Sequence, residues 1–307
     1  MRNGTIKEFQ FEVYQRRFKQ PLYTSHGVWQ VREGIIISLT DQAGRVRQGE
    51  IAPLPWFGSE TLSQALKFCQ ELGSVVSDND IKCIPDNLPC CQFALESAWF
   101  NLSHDASNRQ NQGLDFCYLL PAGNKALTSW QSSYQTLKVQ TFKWKVGVLP
   151  IAQEIEILQQ LDRILPAEIK LRLDANGGLS YDSAQQLFSV ADTLSRIEFI
   201  EQPLSPGNLA GIFQLSQIYA TAIALDESVA SFRQLQEVHE QGWQGIYVIK
   251  AAIMGFPRRL IRFCAEQSLD IVFSSVFETE VARTTALNIA QELGHPRAAG
   301  FGVQLFC

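Results

Sequence analysis

The segment IKLRLD, residues 169–174, decides the fold, because apolar and charged residues alternate along it as in a β-strand and it ends on a carboxylate. From about residue 115 onward, short apolar runs of this kind are each followed by a polar turn and a stretch of helical period. This alternation predicts parallel strands with crossover helices, which close naturally into an eight-stranded (β/α)8 TIM barrel of the α/β class. The runs centre on Phe116-Leu120, Val139-Val146, Ile169-Asp174, Ile197-Glu201, Ala222-Asp226, Gly245-Lys250, Ile271-Ser275 and Ala298-Val303.

The region before the barrel has a different pattern. A strand is predicted near Ile6 to Phe18, then a loop from Gln20 to Trp29, then a hairpin that turns at residues 41–44. Two helical stretches follow, so we expect an N-terminal α+β unit. The predicted division is residues 1–114 for this unit, 115–293 for the barrel, and 294–307 for the last strand and a tail that returns toward the N-terminal unit.

Composition narrows the class of protein. The chain has 307 residues, 46% hydrophobic and 19% charged, enough to bury a large core. A net charge of -5 without basic clusters argues against nucleic acid as a partner, and the apolar runs are too short to span a membrane. Seven cysteines without a C-x-x-C pair, and a start without a signal pattern, predict a cytoplasmic protein. The oligomeric state stays open, and a monomer is plausible.

Charged residues stand at the ends of five consecutive predicted strands. Lys145, Asp174, Glu201, Asp226 and Lys250 follow one another at intervals of 29, 27, 25 and 24 residues, close to one barrel repeat. Because active sites of such barrels lie at the carboxyl ends of the strands, we expect these side chains to meet at one mouth.

Three carboxylates at one mouth need compensation. A divalent cation held by Asp174, Glu201 and Asp226 would keep all three ionised, and their oxygens favour Mg²⁺ first and Mn²⁺ second. Lys143 shares a strand face with Lys145, and nearby cations would disfavour charge on Lys145. Lys145 is therefore the candidate base that removes a proton next to the carboxylate of a small-molecule substrate, while the metal stabilises the resulting enolate.

Other interpretations remain open at this point. Singly, a strand-end carboxylate is more often a helix cap or salt-bridge partner, and Asp226 could be only a cap. A non-catalytic carboxylate-binding barrel and a Schiff-base aldolase that uses Lys250 alone are the alternatives of another class. Five charges on five repeats favour the enzyme with a metal site.

These motifs resemble the enolase superfamily, in the branch that has a lysine on each side of the metal site. The resemblance covers nearly the whole chain and implies a modified barrel with an N-terminal α+β capping domain. Branches that use a barrel histidine as the base are disfavoured, because His239 falls on a predicted helix and His295 in a Gly-His-Pro turn, while His26 and His104 precede the barrel. The matching segments are Lys143-Trp144-Lys145, Arg172 to Asn176, Glu201-Gln202-Pro203, Asp226-Glu227-Ser228 and Ile249-Lys250.

Within this branch the chain is most similar to the o-succinylbenzoate synthase family. Phe273 to Thr279 resembles that family's S-S-x-x-E-S segment, although Val276, Thr279 and Ala282 stand where Ser, Ser and Gly are common. The implied reaction is a metal-assisted syn dehydration of 2-succinyl-6-hydroxy-2,4-cyclohexadiene-1-carboxylate to o-succinylbenzoate, in menaquinone or phylloquinone synthesis. The alternative within the superfamily is an N-acylamino acid racemase or dipeptide epimerase.

The resemblance also implies a role for each site residue. Lys145 would be the base, Lys250 a cation on the opposite side of the intermediate, and Lys143 a support for Lys145 and the carboxylate. The loop from Gln20 to Trp29, with Gly27, would be the lid. The residues that would bind the substrate or support the metal ligands from behind are Arg172, Asn176, Ser274 and Ser275.

Overall fold

The structure is a computed structural model that describes residues 6–24, 27–100, 114–294 and 296–302. It contains a four-stranded antiparallel sheet and an eight-stranded parallel sheet. The N-terminal elements are β1 (Ile6–Thr24), β2 (Gly27–Thr40), β3 (Val46–Ile51), α1 (Leu62–Leu72), β4 (Val75–Ser77), α2 (Asp78–Lys82) and α3 (Pro89–Phe100).

The N-terminal sheet has the strand order β3-β2-β1-β4, and α3 packs on it. The predicted loop from Gln20 to Trp29 is wrong, because β1 continues to Thr24 and β2 begins at Gly27. Between the pairs Arg17–Val31 and Leu22–Trp29, residues 18–21 lie opposite a single residue of β2. This bulge accommodates Pro21, which has no N–H to give to a ladder, so the chain stays extended where the sequence indicates a break.

The barrel alternates strands and helices, as the apolar runs predict. Its strands are β5 (Phe116–Leu120), β6 (Thr141–Lys145), β7 (Lys170–Asp174), β8 (Ile197–Glu201), β9 (Ile223–Leu225), β10 (Ile246–Ile249), β11 (Ile271–Phe273) and β12 (Ala299–Gly302). Its helices are α4 (Ala126–Leu137), α5 (Ile151–Ile164), α6 (Tyr181–Ala191), α7 (Leu209–Ile218), α8 (Phe232–Glu240), α9 (Pro257–Glu266) and α10 (Glu280–Glu292). The predicted β/α barrel is therefore confirmed.

The last strand closes the barrel. Strand β12 pairs with β5 in parallel, and a bridge between Ser274 and Gly300 joins it to the end of β11. The Ser275 amide also donates to the Gly300 carbonyl at 3.2 Å. Closure leaves the carboxyl ends of all eight strands at one rim, which is where barrel enzymes place their chemistry.

Alternation along each strand separates the core from the site. On β6, Phe142 and Trp144 are fully buried, whereas Lys143 and Lys145 on the other face are partly exposed. A separate apolar cluster of Phe199, Ala224, Ile246, Val248 and Val272 forms from the barrel strands. This packed interior gives the mouth a rigid floor.

The N-terminal unit is joined to the barrel through α10. The fully buried Glu50 at the end of β3 accepts hydrogen bonds from the backbone amides of Thr279 at 2.8 Å and Ala282 at 3.1 Å. A carboxylate at a helix N-terminus satisfies free amides and complements the helix dipole. Arg16 of β1 donates to the carbonyl oxygen of Phe277 at 2.9 Å.

The described helices include none with the length and apolar character needed to cross a membrane.

Candidate active site

The strand register brings the predicted charges to one rim. Lys145 is paired with Asp174 across β6 and β7, and Asp174 is paired with Glu201 across β7 and β8. Glu201 is paired with Ala224 of β9, so Asp226 lies two residues beyond that pair. Since side chains two residues apart share a strand face, three carboxylates from adjacent strands lie on the same side of the barrel wall.

Lysines pair directly with these carboxylates. Lys143 Nζ lies 2.8 Å from Asp174 Oδ2 and 2.7 Å from Glu201 Oε1. Lys250 Nζ forms an ion pair with Asp226 Oδ1. The carboxylates are almost completely buried, at 2% exposure for Asp174 and Glu201 and 5% for Asp226. Buried charges of this kind persist only when they are compensated, so the lysines are part of the site.

The carboxylates differ in their proton affinity. Burial raises the pKa of Glu201 to about 7, against the opposing effect of Lys143. Burial likewise raises the pKa of Asp226 to about 6, with Lys250 opposing the shift. At Asp174 burial acts in the same direction, but Lys143 and Lys145 outweigh it and hold the pKa below the usual value. The lysines therefore compensate the negative charge only in part.

Lys143 is the cation most tightly bound to the cluster. Burial acts to lower its pKa, but Asp174 and Glu201 outweigh this effect and keep the pKa well above the usual value. Lys145 differs, because its ammonium makes no hydrogen bond or ion pair with any residue in the described part of the chain. Of the two lysines on this face of β6, Lys145 is thus the one free to contact a substrate.

A buried glutamine, for which the sequence suggested no role, positions the third carboxylate. Gln202 is fully buried, and its Oε1 accepts hydrogen bonds from the backbone amides of Asp226 at 3.0 Å and Ser228 at 3.1 Å. Its Nε2 donates to Ser228 Oγ at 2.7 Å and to the Leu204 carbonyl at 2.9 Å. Its backbone φ is +38°, in the left-handed region. The only sequence signal for this role was its place in the Glu201-Gln202-Pro203 motif.

Asn176 connects the ends of β7 and β9. Its backbone amide donates to Asp174 Oδ1 at 3.0 Å, and its side-chain Nδ2 donates to Glu227 Oε1 at 3.2 Å. Glu227 is a second residue to which the sequence assigned no role, although it follows Asp226 directly. Asn176 therefore contacts Asp174 and Glu227, and its role in supporting the proposed metal ligands remains a prediction.

Arg172 lies at the other end of the barrel interior. Its Nε donates to Glu198 Oε2 at 2.7 Å and its Nη1 to the Ala298 carbonyl at 2.7 Å, and its guanidinium stacks over Phe199 at 4.8 Å. The register between β7 and β8 shifts beside Glu198, a bulge that turns this carboxylate toward Arg172. The described contacts of Arg172 thus join β7 to β8 and to the residue before β12.

The two predicted serines lie at the end of β11. Ser275 Oγ donates to Glu278 Oε2 at 2.8 Å and accepts from the Phe277 amide at 2.8 Å, so its hydroxyl organises the loop before α10. Ser274 lies at the bridge to Gly300 that closes the barrel. Their substrate contacts remain predictions.

The histidines play no part in the described site. His239 lies on α8, as predicted, and its Nε2 lies 3.1 Å from Gln267 Oε1. His26, His104 and His295 lie outside the described residues.

The carboxylates at the mouth can hold a divalent cation if the ammonium groups of Lys143 and Lys250 move away from them. Among the described residues, no group of three or more Asp, Glu, His or Cys side chains is arranged to hold a metal ion as it stands. Instead the Lys143 ammonium lies between the oxygens of Asp174 and Glu201, and that of Lys250 lies against Asp226. Positive charge already occupies these positions, and a donor set made only of carboxylate oxygens suits a hard ion such as Mg²⁺.

Comparison with known proteins identifies the family. Residues 126–300 match the family described as "Enolase C-terminal domain-like", and residues 7–102 match "MenC, N-terminal domain". The o-succinylbenzoate synthase of Thermosynechococcus vestitus is 39% identical over 300 residues, which cover 96% of this chain and 92% of that protein. The chain belongs to the o-succinylbenzoate synthase family of the enolase superfamily. The predicted fold, a modified enolase-type barrel preceded by an α+β domain, is confirmed with it.

Solved structures agree with this family. The crystal structure of o-succinylbenzoate synthase from Thermosynechococcus elongatus, complexed with Mg in the active site, has a TM-score of 0.90 and 38% identity, and the match covers 97% of this chain and 94% of that one. The L-Ala-D/L-Glu epimerase of Bacillus subtilis has a TM-score of 0.81 at 22% identity, with coverage of 98% and 91%, which shows only that it shares the fold. The synthase family and its enzyme class, a hydro-lyase, were therefore predicted correctly, and the epimerases are more distant.

Proposed function

We propose that this chain catalyses the o-succinylbenzoate synthase reaction, the loss of water from 2-succinyl-6-hydroxy-2,4-cyclohexadiene-1-carboxylate. The observation that carries the proposal is the cluster of three buried carboxylates from adjacent strands, flanked by Lys143 and Lys250, with Lys145 left free beside it. Such a cluster would be costly in a protein that did not bind a cation and an anionic ligand there.

The proposed cation ligands are Asp174, Glu201 and Asp226. The pKa values of Glu201 and Asp226 are raised, so their ionised forms would be stabilised by Mg²⁺, with Mn²⁺ as the second candidate. When bound, the metal supplies a positive charge that holds the substrate carboxylate and stabilises negative charge on the adjacent carbon after deprotonation. The o-succinylbenzoate synthase from Thermosynechococcus elongatus, whose crystal structure has Mg in the active site, supports this assignment.

The proposed base is Lys145. As a neutral amine it would take the proton from the carbon next to the substrate carboxylate and become an ammonium. It would then give that proton to the departing hydroxyl on the same face, so that the carbon–oxygen bond breaks and water leaves. Lys145 lies beside Asp174 in the strand register, and its side chain has no ion-pair partner in the described part of the chain. Both features suit these two steps.

Lys250 would face the reacting ring from the other side of the site. Its ammonium lies 4.2 Å from the ring centroid of Phe57, which belongs to the N-terminal unit. An ammonium that packs against an aromatic face could also pack against the ring of the substrate and stabilise negative charge that develops on it. Lys143, which lies against Asp174 and Glu201, would make room for the cation, stay charged and support the substrate carboxylate. Ser274, Ser275, Asn176 and Arg172 remain proposed supporting residues.

The direct test is an assay of purified protein with the cyclohexadiene substrate, in which the aromatic product is followed by absorbance. We expect turnover with Mg²⁺, loss of turnover after chelation, and recovery when Mg²⁺ is restored. N-acyl amino acids and dipeptides serve as control substrates, scored by exchange of the α-proton with deuterium. Rapid exchange of these controls, with the cyclohexadiene substrate left untouched, would replace the synthase by an epimerase. Turnover that persists after complete chelation would remove the metal from the proposal.

The remaining expectations concern the setting of the enzyme. A cytoplasmic location, the absence of a nucleic acid partner and the division of the chain after residues 114 and 293 stay predictions, and the oligomeric state stays open.

A further inference from the structure

Glu227 has one carboxylate oxygen that is paired and one that is not. Its Oε1 accepts the hydrogen bond from Asn176 Nδ2 at 3.2 Å. Its Oε2 is buried and has no hydrogen-bond partner among the described residues. A buried carboxylate oxygen without a donor costs free energy. We therefore expect a second state of the site in which a donor reaches this oxygen.

Lys250 is the available donor. Its Nζ is bound to Asp226, the residue immediately before Glu227, so the two carboxylates are neighbours in the chain. Burial raises the pKa of Glu227, and the strongest opposing effect comes from Lys250, while Asp174 and Glu201 act in the same direction as burial. The ammonium that compensates Asp226 therefore also attracts the carboxylate of Glu227, without touching it.

Cation binding creates a conflict at Asp226. If Asp226 is a metal ligand, as the proposed function requires, a divalent ion on its carboxylate repels the Lys250 ammonium that lies against Oδ1. Lys250 is only 8% exposed, so an ammonium that simply left Asp226 would be stranded in a buried place. It needs another anion nearby.

We propose that Glu227 is a positioning residue that receives the Lys250 ammonium on its free oxygen when Asp226 takes up the cation. Asn176 holds the other oxygen and so orients Glu227 for this exchange. Lys250 thereby stays charged at the mouth, where the proposed function uses it, and Asp226 is released for the metal. The inference rests on the proposed role of Asp226.

A double-mutant cycle on metal affinity tests the exchange. Glu227→Gln keeps the shape and the acceptor for Asn176 but replaces the free oxygen by an NH2 group, which cannot accept from Lys250. Lys250→Met keeps the length of the side chain and removes its charge. Mg²⁺ affinity is measured by calorimetry for wild type, both single variants and the double variant, with thermal unfolding as a check that each variant folds.

The two backgrounds should respond differently. With Lys250 present, Glu227→Gln should lower Mg²⁺ affinity by about tenfold, because the displaced ammonium loses its partner. Lys250→Met alone should raise the affinity, since nothing competes for Asp226. When Glu227→Gln is combined with Lys250→Met, it should lower the affinity by only about threefold or less, the effect of a distant charge. An equal loss in both backgrounds, or no loss in either, overturns the proposal.

A separate variant distinguishes this proposal from the proposed metal site. Asp226→Asn should weaken Mg²⁺ binding whatever the role of Glu227. If Asp226→Asn leaves the affinity unchanged, the metal site itself is wrong. If Asp226→Asn weakens binding and the cycle shows no coupling, only the exchange between Asp226 and Glu227 fails.

Discussion

Strand β8 carries a glutamate at each end, and the two behave in opposite ways. Glu198 at its start accepts from Arg172 at 2.7 Å and from Arg297 at 2.9 Å. Burial acts to raise the pKa of Glu198, but the two arginines outweigh it and hold the pKa below the usual value. At the end of the strand, Glu201 shares one lysine with Asp174, and its pKa rises to about 7.

The comparison separates a structural cluster from a reactive one. At the start of the strands, arginines with fixed, planar donors satisfy Glu198 and Asp270 directly. At the mouth, flexible lysines compensate an excess of carboxylates, and one oxygen of Glu227 stays unpaired among the described residues. Two arginines that outweigh a buried glutamate keep it ionised and give stability, whereas carboxylates that outnumber their cations can bind a further cation.

The largest expected effect is at the mouth, from Lys145→Ala. Turnover of the cyclohexadiene substrate should fall by about 10³-fold or more, because the base is removed. Mg²⁺ affinity should stay within about twofold, since all three proposed ligands remain. Steady-state kinetics and calorimetry on the same preparation check both statements. Substantial residual turnover would show that another group takes the proton.

The next effect comes from a matched pair of substitutions at the two ends of the barrel. Asp226→Asn should weaken Mg²⁺ binding by about 100-fold, because an anionic ligand is lost. Asp270→Asn makes the same chemical change beside Arg297 and should leave Mg²⁺ affinity unaltered. Calorimetric titration of both variants provides the comparison. Equal weakening in the two variants would mean that the net charge of the protein, and not the carboxylates at the mouth of the barrel, governs Mg²⁺ binding.

A third prediction concerns the arginine network around Glu198. Glu198→Gln should lower the free energy of unfolding by about 3 kcal/mol, because the buried Arg172 would lose its anion, whereas Arg297 would keep Asp270. Denaturant unfolding measures the loss, and Mg²⁺ affinity serves as the control that should not change. In wild type the depressed pKa of Glu198 gives stability that is present above its usual value and lost as pH falls through the depressed one.

The smallest effect is a pH dependence of cation binding. Glu201 and Asp226, with pKa values raised to about 7 and about 6, add stability to the metal-free protein when protonated, and this is lost as pH rises through those values. Since the cation needs the ionised carboxylates, Mg²⁺ binding should release more protons at about pH 6 than at about pH 8. Calorimetry in buffers of different ionisation enthalpy measures the release, and an equal release at both pH values would contradict the assigned ligands.

The sequence predicted the barrel and its charges because both depend on short repeats. Strand alternation placed Lys143 and Lys145 on one face, and the interval of about one barrel unit placed Asp174, Glu201 and Asp226 on adjacent strands. The loop from Gln20 to Trp29 was mispredicted because a bulge in β1 interrupts the pattern without ending the strand. Local patterns identify strands well but carry little information about bulges.

What the sequence alone determined is the fold, the family and the set of charged residues at the mouth, because periodicity and motif order follow the chain. Tertiary structure decided how those charges are paired: which lysine contacts which carboxylate, that Gln202 positions Asp226, and that Glu227 keeps an oxygen unpaired among the described residues. These pairings join residues from different strands, and their energies depend on distance and burial. Neither quantity can be read along a single chain.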